Sequence, residues 1–259
     1  MMRIALGVEY DGGDFCGWQL QDGVRTVQGC VEQALAKVAN HDLRVICAGR
    51  TDTGVHGLGQ VIHFDSEASR STRSWVLGGN ANLPRDVSLL WAKEVDEEFH
   101  ARFSAQSRRY RYVILNRWVR PGLQRGRVTW VHAPLDVEAM RTATQYLIGE
   151  HDFSSYRALA CQAKSPIRQI YSLQVESAGE YIYLDVHANA FLHHMVRNIA
   201  GVLITIGKGE QPPEWAREVL ERRDRTQGGI TAPSDGLYFV HVEYAEHFML
   251  PAQMRLPQF

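Results

Sequence analysis

The stretch LRVICAGRTDTGVHGLGQVIHFD, Leu43 to Asp65, decides the fold. Its two ends, residues 43–48 and 60–65, are rich in β-branched and aromatic residues and read as strands. Between them, Gly49, Gly54, Gly57 and Gly59 let the backbone turn tightly, so the two strands are predicted to be neighbours. Upstream, Thr26 caps a helical pattern with Val27, Cys30, Val31, Ala34, Leu35 and Val38 on one face. Before it, residues 3–10 (RIALGVEY) read as a strand. Downstream, residues 72–81 read as a helix, weakened by Gly78 and Gly79, and residues 87–94 as a strand. The order is β-α-β-β-α-β.

The second half repeats that order. Residues 107–116 (SRRYRYVILN) have strong strand propensity. Asp136 caps a helix with Val137, Met140, Leu147 and Ile148 inward, ended by Gly149. Strands are predicted at 168–176 and 180–188, then a helix at about 190–206 with Leu192, Met195, Val196, Ile199, Leu203 and Ile206 on one stripe. A short helix begins near Pro213, and residues 237–244 form the last strand. Two such units predict an α+β fold of two ferredoxin-like antiparallel sheets, residues 1–103 and 104–259. The repeat is one of pattern, without self-similarity in sequence. Sheets of this order serve enzymes and RNA-binding modules alike, so fold alone leaves function open.

Composition narrows the classes. Of 259 residues, 45% are hydrophobic and 22% charged, which suits a packed core and excludes a disordered chain. Apolar runs stop well short of a membrane span, and the opening MMRIALGVEYDG lacks a signal-peptide pattern. A soluble, cytoplasmic protein is expected. Cys16, Cys30, Cys47 and Cys161 form no C-x-x-C pair, so neither a zinc ribbon nor a disulfide framework is suggested. Net charge is −1, yet Phe99 to Leu135 holds no Asp or Glu. Its cations are Arg102, Arg108, Arg109, Arg111, Arg117, Arg120, Arg125 and Arg127. Such local asymmetry is the footprint of a polyanion binder, or equally of a solvated strand face and a basic loop. Part of it falls in residues 117–135, a loop long enough to be functional or mobile.

The candidate chemistry sits in the Gly-rich turn. Arg50, Asp52 and His56 bring a guanidinium, a carboxylate and an imidazole into seven residues. An Asp in such a turn is more often an Asx-turn or a cap, so spacing alone favours a structural Asp52. His56 suits contact with an RNA phosphate or bracing of the loop. Tyr110 and Tyr112 point one way from their strand while Arg109 and Arg111 point the other. Either tyrosine is a stacking platform for a base or a core aromatic with a hydrogen-bonded hydroxyl. Arg197 lies off the apolar stripe of its helix, where an arginine is ordinarily a surface group. His193 and His194 read as one packed and one surface ring and not as metal ligands.

The motif G-R-T-D-T-G-V-H-G resembles the catalytic motif of the tRNA pseudouridine synthase A family, G-R-T-D-x-G-V-H-A. Further segments agree in order: Tyr10-Asp11-Gly12 with Phe15, Gly17-Trp18-Gln19 and Gln21; Thr26-Val27-Gln28; Asn82-Leu83-Pro84. Phe99-His100-Ala101-Arg102 leads into Arg109-Tyr110-Arg111-Tyr112, and Asn189-Ala190-Phe191-Leu192 into Met195-Val196-Arg197-Asn198. Thr231-Ala232-Pro233 precedes Gly236-Leu237-Tyr238. The match runs from about Ala5 to Tyr244. Gly57 stands where Ala is commoner and Phe239 where Leu is frequent, and neither change removes a reacting group.

The resemblance implies a pseudouridine-synthase-type fold and an isomerase that converts uridine to pseudouridine at nucleotides 38 to 40 of the tRNA anticodon stem-loop. It implies Asp52 as the nucleophile, Arg197 as its ion-pair partner and Tyr110 stacked on the target uracil. Arg50 would help displace the base, and Leu237 would line the pocket. It also implies a homodimer holding tRNA across both subunits. No cofactor or metal is expected, because cutting N1–C1′ and rejoining C1′ to C5 changes neither composition nor oxidation state. Asp52 has two routes, attack at C1′ or removal of a proton at C2′, and each needs an ionised carboxylate. Two other classes remain as alternatives. An RNA-binding module without chemistry needs no acid–arginine pair. A nucleoside or glycoside hydrolase ordinarily needs two flanking carboxylates, and this loop supplies one.

Overall fold

The computed structural model describes residues 1–251 and 254–259. The first half of the chain forms β1 (Met2–Tyr10), α1 (Val27–Ala39), β2 (Ile46–Cys47), β3 (His56–Ser66), α2 (Thr72–Asn82) and β4 (Val87–Val95). The second forms β5 (Ala105–Asn116), β6 (Thr129–Val131), α3 (Val137–Thr144), β7 (Gly149–Asp152), β8 (Ile167–Ala178) and β9 (Tyr181–Ala188). It ends with α4 (Met195–Gly207), α5 (Trp215–Arg222) and β10 (Leu237–Tyr244). The chain folds as two compact units: residues 1–106 with 238–257, and residues 107–237 with 258–259. Strand β10, which by pattern belongs with the second half, lies from Tyr238 onward in the first unit. No helix among the described residues is long and apolar enough to cross a membrane.

In the first unit β1 is central, antiparallel to β3 on one side and to β4 on the other. Strand β2 pairs antiparallel with β3, giving the ferredoxin-like order β4-β1-β3-β2. Strand β10 meets β3 in parallel, with Tyr238 opposite His56 and Phe239 opposite Gly57. Thr26 caps α1 as expected, its hydroxyl accepting from the Gly29 amide, and Asn40 ends the helix in the left-handed region. Val27, Val31 and Leu35 are buried with Ile4, Leu6, Val8, Ile62, Phe64 and Trp75 in one core. Helix α2 forms in spite of its glycines, because Leu89 packs where a Gly79 side chain would stand.

Two expectations change here. The strand expected at 43–48 shrinks to Ile46–Cys47, because the Val45 amide donates to Glu32 on α1 (2.9 Å) instead of entering a ladder. Strand β3 starts at His56 and not at Gln60, so the second half of the Gly-rich turn is already sheet.

In the second unit β9 lies between β5 and β8, all antiparallel, and β7 adds antiparallel to β8. Asp136 caps α3 through the Ala139 amide. That helix stops at Thr144, and Gly149 (φ 108°) opens β7, a strand the helical pattern conceals. Helix α4 begins at Met195, later than its apolar stripe implies, because His194 takes φ 62° and interrupts the helix. The helix ends at Gly207, one residue beyond its expected limit. The expected 117–135 loop is ordered in its second part. Strand β6 pairs with β5, and Asn116 Nδ2 donates to the carbonyls of Val131 (2.9 Å) and Ala133 (2.7 Å).

Candidate active site

In the first unit the loop between β2 and β3 carries Arg50, Asp52 and the start of His56. Its backbone is fixed from several sides. Gln60, fully buried, donates through Nε2 to the Gly49 carbonyl (2.6 Å) and accepts from the Gly49 amide (3.4 Å). The Tyr10 hydroxyl and Thr51 Oγ1 lie 2.8 Å apart inside the protein. The Trp18 amide donates to the Thr51 carbonyl (3.0 Å). Gly17, at φ +83°, lets the preceding segment press against residues 51–53; a Cβ there would meet the Thr51 oxygen at 2.8 Å. A non-glycine residue would be strained at that φ as well as crowded. Asp52 closes a turn by accepting the Val55 amide on its backbone oxygen (3.1 Å). The Asp52 residue is half-buried, and Arg50 is exposed beside it.

His56 is only 2% exposed. Its Nδ1 accepts the Gly12 amide (3.0 Å), and its ring stacks on Tyr238 with centroids 4.7 Å apart. These contacts tie the start of β3 to the segment after β1 and to β10. Tyr10 and Gln60 also support this loop. Their only signal is a polar group within an apolar strand pattern. Burial raises the Tyr10 phenol well above its usual range, so it stays a neutral hydroxyl.

In the second unit Tyr110 and Tyr112 share one face of β5, opposite Val186 and Leu184 of β9. They are not equivalent. Tyr112 is fully buried, and its hydroxyl reaches Thr129 Oγ1 (2.6 Å) and the Pro233 carbonyl (2.8 Å). Tyr110 is half-buried and meets Phe191 edge to face, centroids 4.9 Å apart.

Arg197 is half-buried and fixed to the segment after α5. Its Nε donates to the Ala232 carbonyl (2.8 Å), and its own carbonyl accepts the Ala232 amide (3.1 Å). Gly201, one turn on, lies where a Cβ would overlap the Ile230 carbonyl oxygen. Asn198 Oδ1 accepts from Thr231 Oγ1 (2.6 Å) and Arg225 Nη2 (3.1 Å), completing the clasp. The same segment then turns, with the Leu237 amide on the Ser234 carbonyl (2.8 Å), and delivers Leu237 into the interior.

The arginine-rich window is less available than its composition implies. Arg111 is 5% exposed and forks onto Asp185, its cross-strand partner, at 2.7 and 2.6 Å. Arg117 pairs with Glu180 at 3.1 Å. Both are structural ion pairs.

A sequence profile described as tRNA pseudouridine synthase matches residues 7–104 and 143–245. Three relatives carry the name tRNA pseudouridine synthase A. The protein of Alcanivorax borkumensis is 62% identical over 252 residues, covering 97% of this chain and 94% of the relative. That of Nitrosococcus oceani is 61% identical over 254 residues, covering 98% of each. That of Coxiella burnetii (strain Dugway 5J108-111) is 54% identical over 251 residues, covering 97% of this chain and 96% of the relative. With its antiparallel sheets and its anchored aspartate loop, the chain is an α+β protein of the pseudouridine synthase class. It belongs to the tRNA pseudouridine synthase A family.

Proposed function

We propose that this chain isomerises uridine to pseudouridine at positions 38, 39 and 40 in the anticodon stem-loop of tRNAs, with Asp52 as the nucleophile. The observation that carries this reading is the G-R-T-D-T-G-V-H loop, whose backbone is pinned by Tyr10, Trp18 and Gln60 around a half-buried Asp52. A carboxylate on a fixed backbone acts in a defined direction, which is what preorganised catalysis requires.

The reaction breaks N1–C1′, turns the ring and forms C1′–C5; a proton leaves C5 and N1 gains one. Nothing else is consumed, so the reading includes no cofactor and no metal. Asp52 acts on the ribose, at C1′ or at the C2′ proton, and must be charged to do either. Arg197 is the cation assigned to hold it so. At ~4 Å and an effective dielectric near 20 such a pair attracts by about 4 kcal/mol before desolvation is subtracted. A guanidinium suits this better than an ammonium, since it stays ionised and forks onto a carboxylate.

A base inside a stem must leave the stack to reach Asp52. Tyr110 is assigned to receive it, Arg50 to help hold it out and Leu237 to line its pocket. His56 supports the loop that presents Asp52. The working form in this reading is a cytoplasmic homodimer, in which a second copy adds basic surface to a chain of net charge −1.

Incubating the protein with unmodified tRNA and mapping pseudouridine by nucleotide tests the assignment. Modification is expected at 38, 39 and 40. Asp52→Asn is expected to slow it by about 10³-fold or more while tRNA binding survives. A variant that works at the wild-type rate would end the proposal. Sedimentation of the protein alone tests the dimer.

A further inference from the structure

One basic group is left unused by this mechanism. Arg168 lies near the start of β8, and its Nη1 donates to the carbonyls of Ser165 (3.0 Å) and Ile167 (2.6 Å). Its Nε is enclosed without a hydrogen-bond partner, and the guanidinium makes no ion pair among the described residues. Burial lowers its pKa from the usual guanidinium value, and nearby Arg108 acts in the same direction, against Cys161. Half-burying one guanidinium beside another is unfavourable unless an anion completes the group.

The register shows where that anion would sit. Arg108 on β5 and Ile170 on β8 are both opposite Ala188 of β9. Residues opposite one another share a face, as do residues two apart on a strand. Arg108, Tyr110 and Arg168 therefore occupy one face of three adjacent strands, with Tyr110 ~7 Å along β5 from Arg108. Arg108 is held there by its Nη1 bond to the Asn189 carbonyl (2.9 Å). With Nη1 of Arg168 tied to carbonyls and Nε enclosed, Nη2 is the nitrogen left to meet an oxyanion.

We propose that Arg168, together with Arg108, seats a phosphodiester of the bound RNA strand next to the nucleotide whose base stacks on Tyr110. The proposal rests on the stacking role given to Tyr110 above. It makes Arg168 a binding and positioning residue, which fixes the backbone while the base swings out. The chemistry recognised is a phosphate monoanion on a chain, read without regard to sequence.

Arg168→Met and Arg168→Lys in the full chain test this, with affinity for unmodified tRNA measured across a salt series and folding checked by urea titration. Loss of one phosphate contact is expected to reduce the slope of log K against log salt by about 0.7. It is also expected to weaken binding about tenfold at low salt. Arg168→Lys should keep the slope and lose part of the affinity. An unchanged slope in folded Arg168→Met overturns the proposal, and a lower urea midpoint with that unchanged slope assigns Arg168 to propping β8. If Arg168→Met does not fold, Arg108→Gln carries the same test by the same slope. A shift of thermal stability by inorganic phosphate that Arg168→Met abolishes, with the tRNA slope intact, identifies a free anion and also overturns it. Failure of the isomerase reading registers separately, as wild-type protein that binds tRNA and forms no pseudouridine.

Discussion

At Tyr110 and Tyr112 one residue type, two positions apart, meets two environments. The difference predicts two phenotypes. Tyr110→Ala removes a stacking surface worth roughly 1–3 kcal/mol and should lower kcat/KM about tenfold to a hundredfold with little change in urea midpoint. Tyr112→Phe leaves the Pro233 carbonyl without its donor and the Thr129 hydroxyl without its acceptor, and should cost about 1–2 kcal/mol of stability with little effect on the reaction. Sequence reasoning left both tyrosines open to either role, because alternation assigns a side and not an exposure. The tight turn that carries Asp52 is legible in its glycines, whereas the burial of Arg111 is not. Its partner Asp185 lies 74 positions on, and only strand register brings the two together. A titratable residue of the first unit gives a further prediction. Burial, with His100 and Arg3 adding to it, holds the His63 pKa down to about 4, and its Nδ1 accepts the Ala101 amide (3.1 Å). The fold thus favours the neutral ring. Its contribution is present above pH ~6.5 and is lost as pH falls towards 4. The urea midpoint should drop over that window, and drop less in His63→Asn, whose oxygen can still accept the amide.

Elements were legible where a cap or a strict period marked them. Thr26 and Asp136 start helices where expected, and β1, β4, β8 and β9 fall close to their predicted limits. The failures share a cause: local geometry overruled pattern. Glu32 takes the amide that would extend β2, His194 in the left-handed region delays α4, and Gly149 opens β7 where only a helix end was read. None of these leaves a periodic trace. The clasp between α4 and residues 230–232 was equally hidden, since it depends on a helix approaching backbone closely at one glycine. Gly201→Ala should push that segment off the helix. The expected cost is about 1–3 kcal/mol of stability, and the segment carries both the Arg197 contact and Leu237. The proposed pairing and pocket roles predict a fall in kcat beyond what unfolding explains, read by assaying well below the melting transition.

On the scale of the whole molecule, charge is a matter of distribution. Net −1 offers no attraction to a polyanion, and Arg111 and Arg117 are already engaged by Asp185 and Glu180. Arg120 and Arg125 are exposed, and the proposed reading gives such groups to RNA phosphates. Binding of tRNA should therefore weaken by roughly tenfold or more between 50 and 200 mM salt, through counterion release. A flat response, measured by filter binding, would count against an electrostatic hold.

The two-unit course of the chain also bears on how the protein is made. The first unit takes in residues 238–257, and Tyr238 lies under the His56 ring at the exit of the aspartate loop. During synthesis the earliest residues leave the ribosome long before that strand exists. Until it arrives, the first residues of β3 have β1 on one side and nothing on the other, and His56 lacks its stacking partner. Nascent chains halted before residue 238 should be readily cut by protease around the aspartate loop, and the acid should gain its final setting only once that strand has been made.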